Sequence, residues 1–98
     1  MILIGEKING SIPSMAKAIA ERDEEWIKKM AKAQADVGAD YIDCCSSVEV
    51  NEVETMHWMI DLIQSVTDTP IAVDSPNAAV CVECMKFCKR GRRNAKNA

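Results

Sequence analysis

Three carboxylate residues, Glu6, Asp43 and Asp74, each come at or close to the end of a short apolar run. Asn9 and Asn77 lie three residues beyond the first and the third of them. A carboxylate can accept two N–H groups at once, so this set suits a polar heterocycle that presents adjacent N–H donors. Acids at strand ends can also simply cap the loops that follow. Three of them at equivalent places favour a binding function.

The third of these sites has the clearest local pattern. Thr69-Pro70 interrupts the chain, and the apolar run Ile71–Val73 is too short for a helix. Pro76 lacks a backbone donor and favours extended geometry in Ser75, so the strand must end here. Asn77 is a good N-cap for a helix that begins at about Ala78. The stretch predicts a buried strand, a carboxylate at its C-terminal end and a helix.

The same pattern occurs twice before in the chain. The interval from Glu6 to Asp43 is 37 residues and that from Asp43 to Asp74 is 31 residues, enough for a helical crossover each time. The alternation predicts parallel strands joined by right-handed crossovers, in the order β-α-β-α-β-α. The expected strands are 1–6, 41–45 and 71–73. The expected helices are one through Met15 and Ile19, one from the N-cap Asp23 to Gly38, one from a capping box at Asn51 to Val66, and one from Ala78 towards Gly91.

Three such units leave two sheet edges unpaired and cannot close a barrel. We therefore expect an α/β fold that corresponds to the N-terminal part, about three βα units, of a TIM (β/α)8 barrel. Residues 1–88 would form this partial domain. Residues 89–98 are expected to be a basic tail, disordered or non-native, after a truncation or a shifted reading frame.

Composition and charge narrow the classes of protein. The 98 residues are 48% hydrophobic, which suits one small globular domain, and no apolar run approaches the roughly 20 residues of a membrane span. The N-terminus lacks the basic and long apolar regions of a secretory signal. Five cysteines, an odd number, indicate reduced thiols. We expect a cytoplasmic protein that does not bind membranes.

The charge is divided unevenly along the chain. Residues 1–85 carry fifteen acidic and six basic residues, whereas residues 86–98 carry six basic residues and no acidic one. A basic tail can bind nucleic acid, but this one has no interleaved aromatic residues and no recognised motif beside it. We expect no nucleic-acid partner.

A metal site is the alternative that the cysteines raise. Cys81, Cys84 and Cys88 have a spacing that could hold zinc or an iron–sulfur cluster if a fourth ligand came from elsewhere. The same spacing places them on one face of a helix, where free cysteine is commonly buried. No second CxxC pair accompanies them. We expect no metal.

Three segments together resemble a known family. They are Ile4-Gly5-Glu6-Lys7-Ile8-Asn9-Gly10, Gly38-Ala39-Asp40-Tyr41-Ile42-Asp43 and Asp74-Ser75-Pro76-Asn77. Over residues 1–88 the chain is similar to the pterin-binding domain of methyltetrahydrofolate:corrinoid methyltransferases. The superfamily includes the folate domain of cobalamin-dependent methionine synthase and dihydropteroate synthase. The resemblance implies a TIM barrel that binds methyltetrahydrofolate at its C-terminal rim and passes the N5-methyl group to the cobalt of a corrinoid carried by a partner protein.

The resemblance also implies roles for individual residues. Asp74 would contact the pterin directly, Asn9 and Asn77 would line the same end, and Glu6 and Asp43 would support the loops or the site. The catalytic residues stay unassigned, since the protein's task would be to position the folate and to favour protonation of N5.

A homodimer is expected, because the sheet edges are open.

The sequence departs from the family at the end of the second strand. Members commonly have Asp-Val-Asn there, whereas this chain has Asp43-Cys44-Cys45, so an asparagine contact is missing. Two alternatives remain open. One is a non-catalytic barrel fragment that acts through self-association. The other is a pterin enzyme like dihydropteroate synthase, although the loop typical of that enzyme is absent after the first strand.

Overall fold

The structure is a computed structural model that describes residues 2–48 and 50–89. This part of the chain forms three strands and four helices, with two consecutive helices between the first and the second strand. They are β1 (Ile4–Gly5), α1 (Pro13–Glu21), α2 (Glu24–Asp36), β2 (Tyr41–Cys44), α3 (Glu52–Val66), β3 (Ile71–Val73) and α4 (Ala78–Met85). The protein is therefore of the mixed α/β class.

The strands form one parallel sheet in the order β1-β2-β3. Ile4 pairs with Tyr41 at one end, and Cys44 pairs with Val73 at the other. Each strand lies beside the next one in sequence, as expected for consecutive βαβ units. The prediction of three parallel strands is confirmed. The sheet is compatible with part of a barrel.

The core lies between the sheet and the helices. Side chains alternate between the two faces of a strand, and the core takes Ile42 and Cys44 from β2 and Ile71 and Val73 from β3. The helices contribute aliphatic residues and methionines, each at most 1% exposed: Met15, Ile27, Ala31, Met56, Met59, Ile60 and Ile63. Burial of one large side chain of this kind contributes about 1.5–3 kcal/mol.

Five helix ends were predicted from the sequence, and three of them lie where they were expected. The Asp23 carboxylate accepts the N–H of Trp26 at 3.1 Å, Gly38 has φ +87°, and Asn77 accepts the N–H of Ala79 at 3.0 Å. The capping box at Asn51 is wrong, because Asn51 has φ 56° and makes no side-chain capping bond. Helix α4 ends at Met85, earlier than expected. Gly91 and most of the basic tail lie outside the described residues.

Among residues 2–48 and 50–89, none of the helices is long and apolar enough to cross a membrane.

Candidate functional site

The pairing of β1 with β2 is interrupted and then resumes at Asn9. Gly5 pairs with Ile42, and the next pair is Asn9 with Cys45. Between these two pairs the β1 segment advances by four residues, whereas the β2 segment advances by three. An extra residue of this kind is the signature of a bulge. The N–H of Cys45 donates to the Ile8 carbonyl at 3.1 Å, and the N–H of Gly10 donates to the Cys45 carbonyl at 2.8 Å. Asn9 is therefore level with Cys45.

The same level is reached by Asp74 from the other side. The N–H of Asp74 donates to the carbonyl of Cys44 at 3.0 Å, directly after the pair of Cys44 with Val73. Continuing this register by one residue places Asp74 beside Cys45. Paired residues of parallel strands point to the same face, so Asn9, Cys45 and Asp74 form one line across the C-terminal edge of the sheet. We call these three residues the rim row.

Asp43 and Glu6 are not part of this row. Asp43 lies inside β2, pairs with Ala72 and is 5% exposed. It is two residues before Cys45 and shares its face, about 6.6 Å deeper along the strand. Glu6 lies in the bulged segment, and its side chain is exposed. The prediction that the three carboxylates stand at equivalent strand ends is therefore wrong, because β3 reaches the edge with Asp74 whereas β2 reaches it with Cys45.

Ser47 is a site residue that the sequence did not indicate. Its hydroxyl donates to the Asn9 Oδ1 at 3.3 Å and lies 3.5 Å from the Cys45 Sγ. Its backbone has φ 57°, a left-handed conformation that is uncommon outside glycine. In the sequence, the two consecutive serines Ser46-Ser47 indicated a loop after β2 but no contact with Asn9. Ser47 thus ties the loop after β2 to the β1 side of the rim row.

Both asparagines turn their carbonyl oxygens into the protein. The Asn9 Oδ1 also accepts the N–H of Ser11 at 2.9 Å, and the Asn77 Oδ1 caps α4. Each side chain can still donate through its amide NH2 group. Asn77 is exposed and lines a depression of about 540 Å³ between the N-terminal turns of α3 and α4. It therefore lies beside the rim row, on the helix side.

The loop after β3 is held by α3. The Ser75 hydroxyl donates to the Glu52 Oε2 at 2.6 Å, and it accepts the N–H of Asn77 at 3.1 Å. Glu52 belongs to the first turn of α3, so a contact between two βα units fixes the backbone directly after Asp74.

The other cysteines are on the opposite side of the sheet. Cys44, Cys84 and Cys88 are at most 9% exposed and belong to the core. Burial raises the pKa of Cys44, and it raises the pKa of Cys84 and of Cys88 to about 11, helped at Cys84 by the nearby Cys88 and Cys81. These thiols stay protonated at neutral pH, which suits core residues. Within the described part of the chain, no three His, Cys, Asp or Glu residues are placed to hold a metal ion.

The rim row and its surroundings offer complementary hydrogen-bonding groups. Asp74 and, below the row, Asp43 bring carboxylate oxygens, and Asn9 brings an amide donor. A flat heterocycle with both N–H donors and carbonyl or imine acceptors on its edge could satisfy such a set. The central position is occupied by the small thiol side chain of Cys45, which is 8% exposed.

Comparison with known proteins shows that the chain is similar to a curated methyltransferase. The chain is 44% identical over 91 residues to a methylcorrinoid:tetrahydrofolate methyltransferase from Eubacterium limosum. The match covers 92% of this chain and 34% of the relative, so the chain spans about a third of the length of the curated relative that it matches. No model of a protein family matches the chain.

Proposed function

We propose that this chain supplies the pterin-binding part of an enzyme that transfers a methyl group between tetrahydrofolate and a corrinoid. The observation that carries the proposal is the rim row, which brings Asn9 and Asp74 to one edge of the sheet on either side of Cys45. The similarity to a methylcorrinoid:tetrahydrofolate methyltransferase supports the chemistry. It also favours methyl transfer over the reaction of dihydropteroate synthase.

The fold proposal follows from the sheet. We propose that the three parallel strands, in sequential order and with core residues on one face, are the first three βα units of a TIM barrel, with which the sheet is compatible. In such barrels the active site is built at the C-terminal ends of the strands. The rim row occupies that end, and Asp43 lies on the face that would point into the barrel.

In the proposed site the pterin ring lies across the rim row. The carboxylate of Asp74 accepts the ring N–H and the exocyclic amino group together, as carboxylates do with paired donors. Asn9 and Asn77 donate amide N–H bonds to acceptor atoms on the ring. Asp43 and Glu6 take supporting roles, Asp43 from below the row and Glu6 from the bulged segment of β1.

The reaction requires positioning more than covalent catalysis. The lone pair of folate N5 attacks the methyl carbon, the carbon–cobalt bond breaks with both electrons left on cobalt, and N5 loses its proton. The reverse reaction takes the same path, with N5 protonated as the methyl group leaves. A site that fixes the pterin relative to the corrinoid lowers the entropic part of this barrier in either direction.

The name of the relative suggests a direction of methyl transfer opposite to the one that the sequence resemblance implied. The sequence resemblance implied methyltetrahydrofolate as the donor, whereas the relative's name gives the methylcorrinoid as the donor and tetrahydrofolate as the acceptor. Because one transition state serves both directions, the same residues would hold the pterin in each case. The corrinoid is proposed to arrive on a partner protein. A cytoplasmic location stays a prediction.

Calorimetric titration with tetrahydrofolate tests the proposal. We expect Asp74→Ala to weaken binding at least about tenfold, because a charge-assisted pair of hydrogen bonds is lost. Asp68→Ala is the matched control: Asp68 is an exposed aspartate that precedes β3 at its other end. The affinity of the Asp68→Ala variant for tetrahydrofolate should equal that of the unmodified chain. Equal affinities for the Asp74→Ala variant and the unmodified chain would remove Asp74 from the site.

A further inference from the structure

The segment Asp74–Asn77 is held in place by contacts at both of its ends and in its middle. The N–H of Asp74 is bonded to β2 through the Cys44 carbonyl at 3.0 Å. The Cys81 thiol lies 3.5 Å from the Ser75 carbonyl, and Asn77 is bonded to α4 as its cap. These contacts involve backbone or capping groups. A further contact, from the Ser75 hydroxyl to Glu52, joins two side chains that are 23 residues apart in sequence.

The Ser75 hydroxyl has only one proton, and Glu52 determines where it points. At 2.6 Å the bond to the Glu52 Oε2 is short, as charge-assisted O–H···O bonds are. With the proton directed at Glu52, an oxygen lone pair is free to accept the N–H of Asn77 at 3.1 Å. Loss of the carboxylate would let the hydroxyl rotate and weaken the turn from Ser75 to Asn77.

Glu52 is itself placed by a backbone feature. Asn51, directly before α3, has φ 56°, and the sequence offers no glycine at this position. Asparagine is one of the few non-glycine residues that adopt this left-handed conformation readily, so it can make the turn here. The turn starts α3 so that its first residue meets the loop after β3. Glu54, two residues further on, belongs to the same helical turn and is exposed, and both carboxylates interact favourably with the helix dipole.

We infer that Glu52 is a positioning residue that acts through Ser75 to hold Asp74 and Asn77 in the geometry that binds the pterin. The inference rests on the proposed function. In the proposed complex Glu52 does not touch the pterin. It fixes the segment that does, from a neighbouring βα unit.

Five variants test this role by calorimetric titration with tetrahydrofolate. Glu52→Ala and Ser75→Ala should each weaken binding about tenfold. The double variant should be no weaker than Ser75→Ala, because Ser75→Ala already removes the bond to Glu52 together with the bond from the Asn77 N–H. Glu52→Gln keeps an acceptor oxygen and should bind within about twofold of the unmodified chain. Glu54→Ala, the matched control, removes a carboxylate from the same helical turn and should bind normally. Additive losses in the double variant, or normal binding by Glu52→Ala, would overturn the inference.

Backbone order parameters separate this inference from the proposed function. In Glu52→Ala we expect the backbone amide order parameters of Ser75 and Asn77 to fall from about 0.85 to below about 0.6, with no change in Glu54→Ala. If no variant and not even the unmodified chain binds tetrahydrofolate, the proposed function fails, while the order parameters still decide whether Glu52 holds the loop. Unchanged order in Glu52→Ala would refute the positioning role. The melting temperatures of Glu52→Ala and Glu54→Ala show whether either variant is simply unfolded.

Discussion

At the residue scale, Gly10 decides whether the β1 side of the rim row can form. A Cβ atom at this position would lie 1.9 Å from the Ser46 carbonyl oxygen, which is backbone and cannot move aside easily. We expect Gly10→Ala to lower the free energy of unfolding by about 1–3 kcal/mol, because the loop must shift away from Cys45. Chemical denaturation measures this change.

Gly38 provides the comparison for that experiment. It has φ +87° and open space around the position of a Cβ atom. Asparagine tolerates this conformation at the end of a helix, so Gly38→Asn should cost less than about 1 kcal/mol. If Gly10→Ala were as stable as the unmodified chain, the close approach of the two loops would not exist in solution.

At the element scale, the thiols between β2 and α4 make the stability depend on pH in the alkaline range. The pKa values of Cys84 and Cys88 rise from 9.0 to about 11 on folding, and that of Cys44 is also raised. Between about pH 9 and pH 11 the folded chain keeps protons that the unfolded chain has lost. Stability is therefore full below pH 9 and falls as the pH rises towards 11.

The measurement is a series of denaturation midpoints from pH 7 to pH 11. Cys84→Ala should lower the midpoint at pH 7, since a buried side chain is lost, but it should flatten the decline above pH 9. The slope of the denaturation midpoint against pH shows whether the Cys84 thiol titrates, whereas the midpoint at pH 7 shows only the loss of a buried side chain. An equally steep decline in this variant would mean that Cys84 does not titrate as described.

The positions of strands and helices could be predicted from sequence wherever a few neighbouring residues determine where the strand or helix begins or ends. The apolar run 71–73, the N-caps Asp23 and Asn77 and the terminating Gly38 each act within a few residues, and each lies where expected. The register was not predictable. It depends on a bulge between Gly5 and Asn9 that no pattern marks, and a shift of one residue changes which side chains share an edge.

The candidate site was predictable in part for the same reason. Asn9, Asp74 and Asn77 stand close to the C-terminal edge because each follows the end of a strand. Asp43 was assigned to that edge although the expected strand ran on to residue 45. The structure pairs Asp43 with Ala72 inside β2, and the residue of this segment that pairs with Asn9 is Cys45. Ser47 and Glu52 came to light only through contacts made across 38 and 23 residues of sequence.

At the scale of the whole molecule, β1 and β3 are the two edges of the described sheet. Ile2, Leu3 and Val37 near the β1 edge are 63%, 46% and 74% exposed. Unpaired edges with apolar side chains beside them favour association. We expect the chain to form a dimer in sedimentation velocity experiments, and Val37→Lys to shift it towards the monomer. A stable monomer of the unmodified chain at high concentration would contradict this expectation.

Binding of a pterin at the rim row can be followed by NMR titration of the 15N-labelled chain with tetrahydrofolate. We expect saturable shifts of the backbone amides of Asn9, Cys45 and Asp74, whereas the amides of Asp68 and Lys89, at other parts of the molecule, should not shift. Shifts that cluster elsewhere, or none at concentrations that saturate folate enzymes, would contradict it.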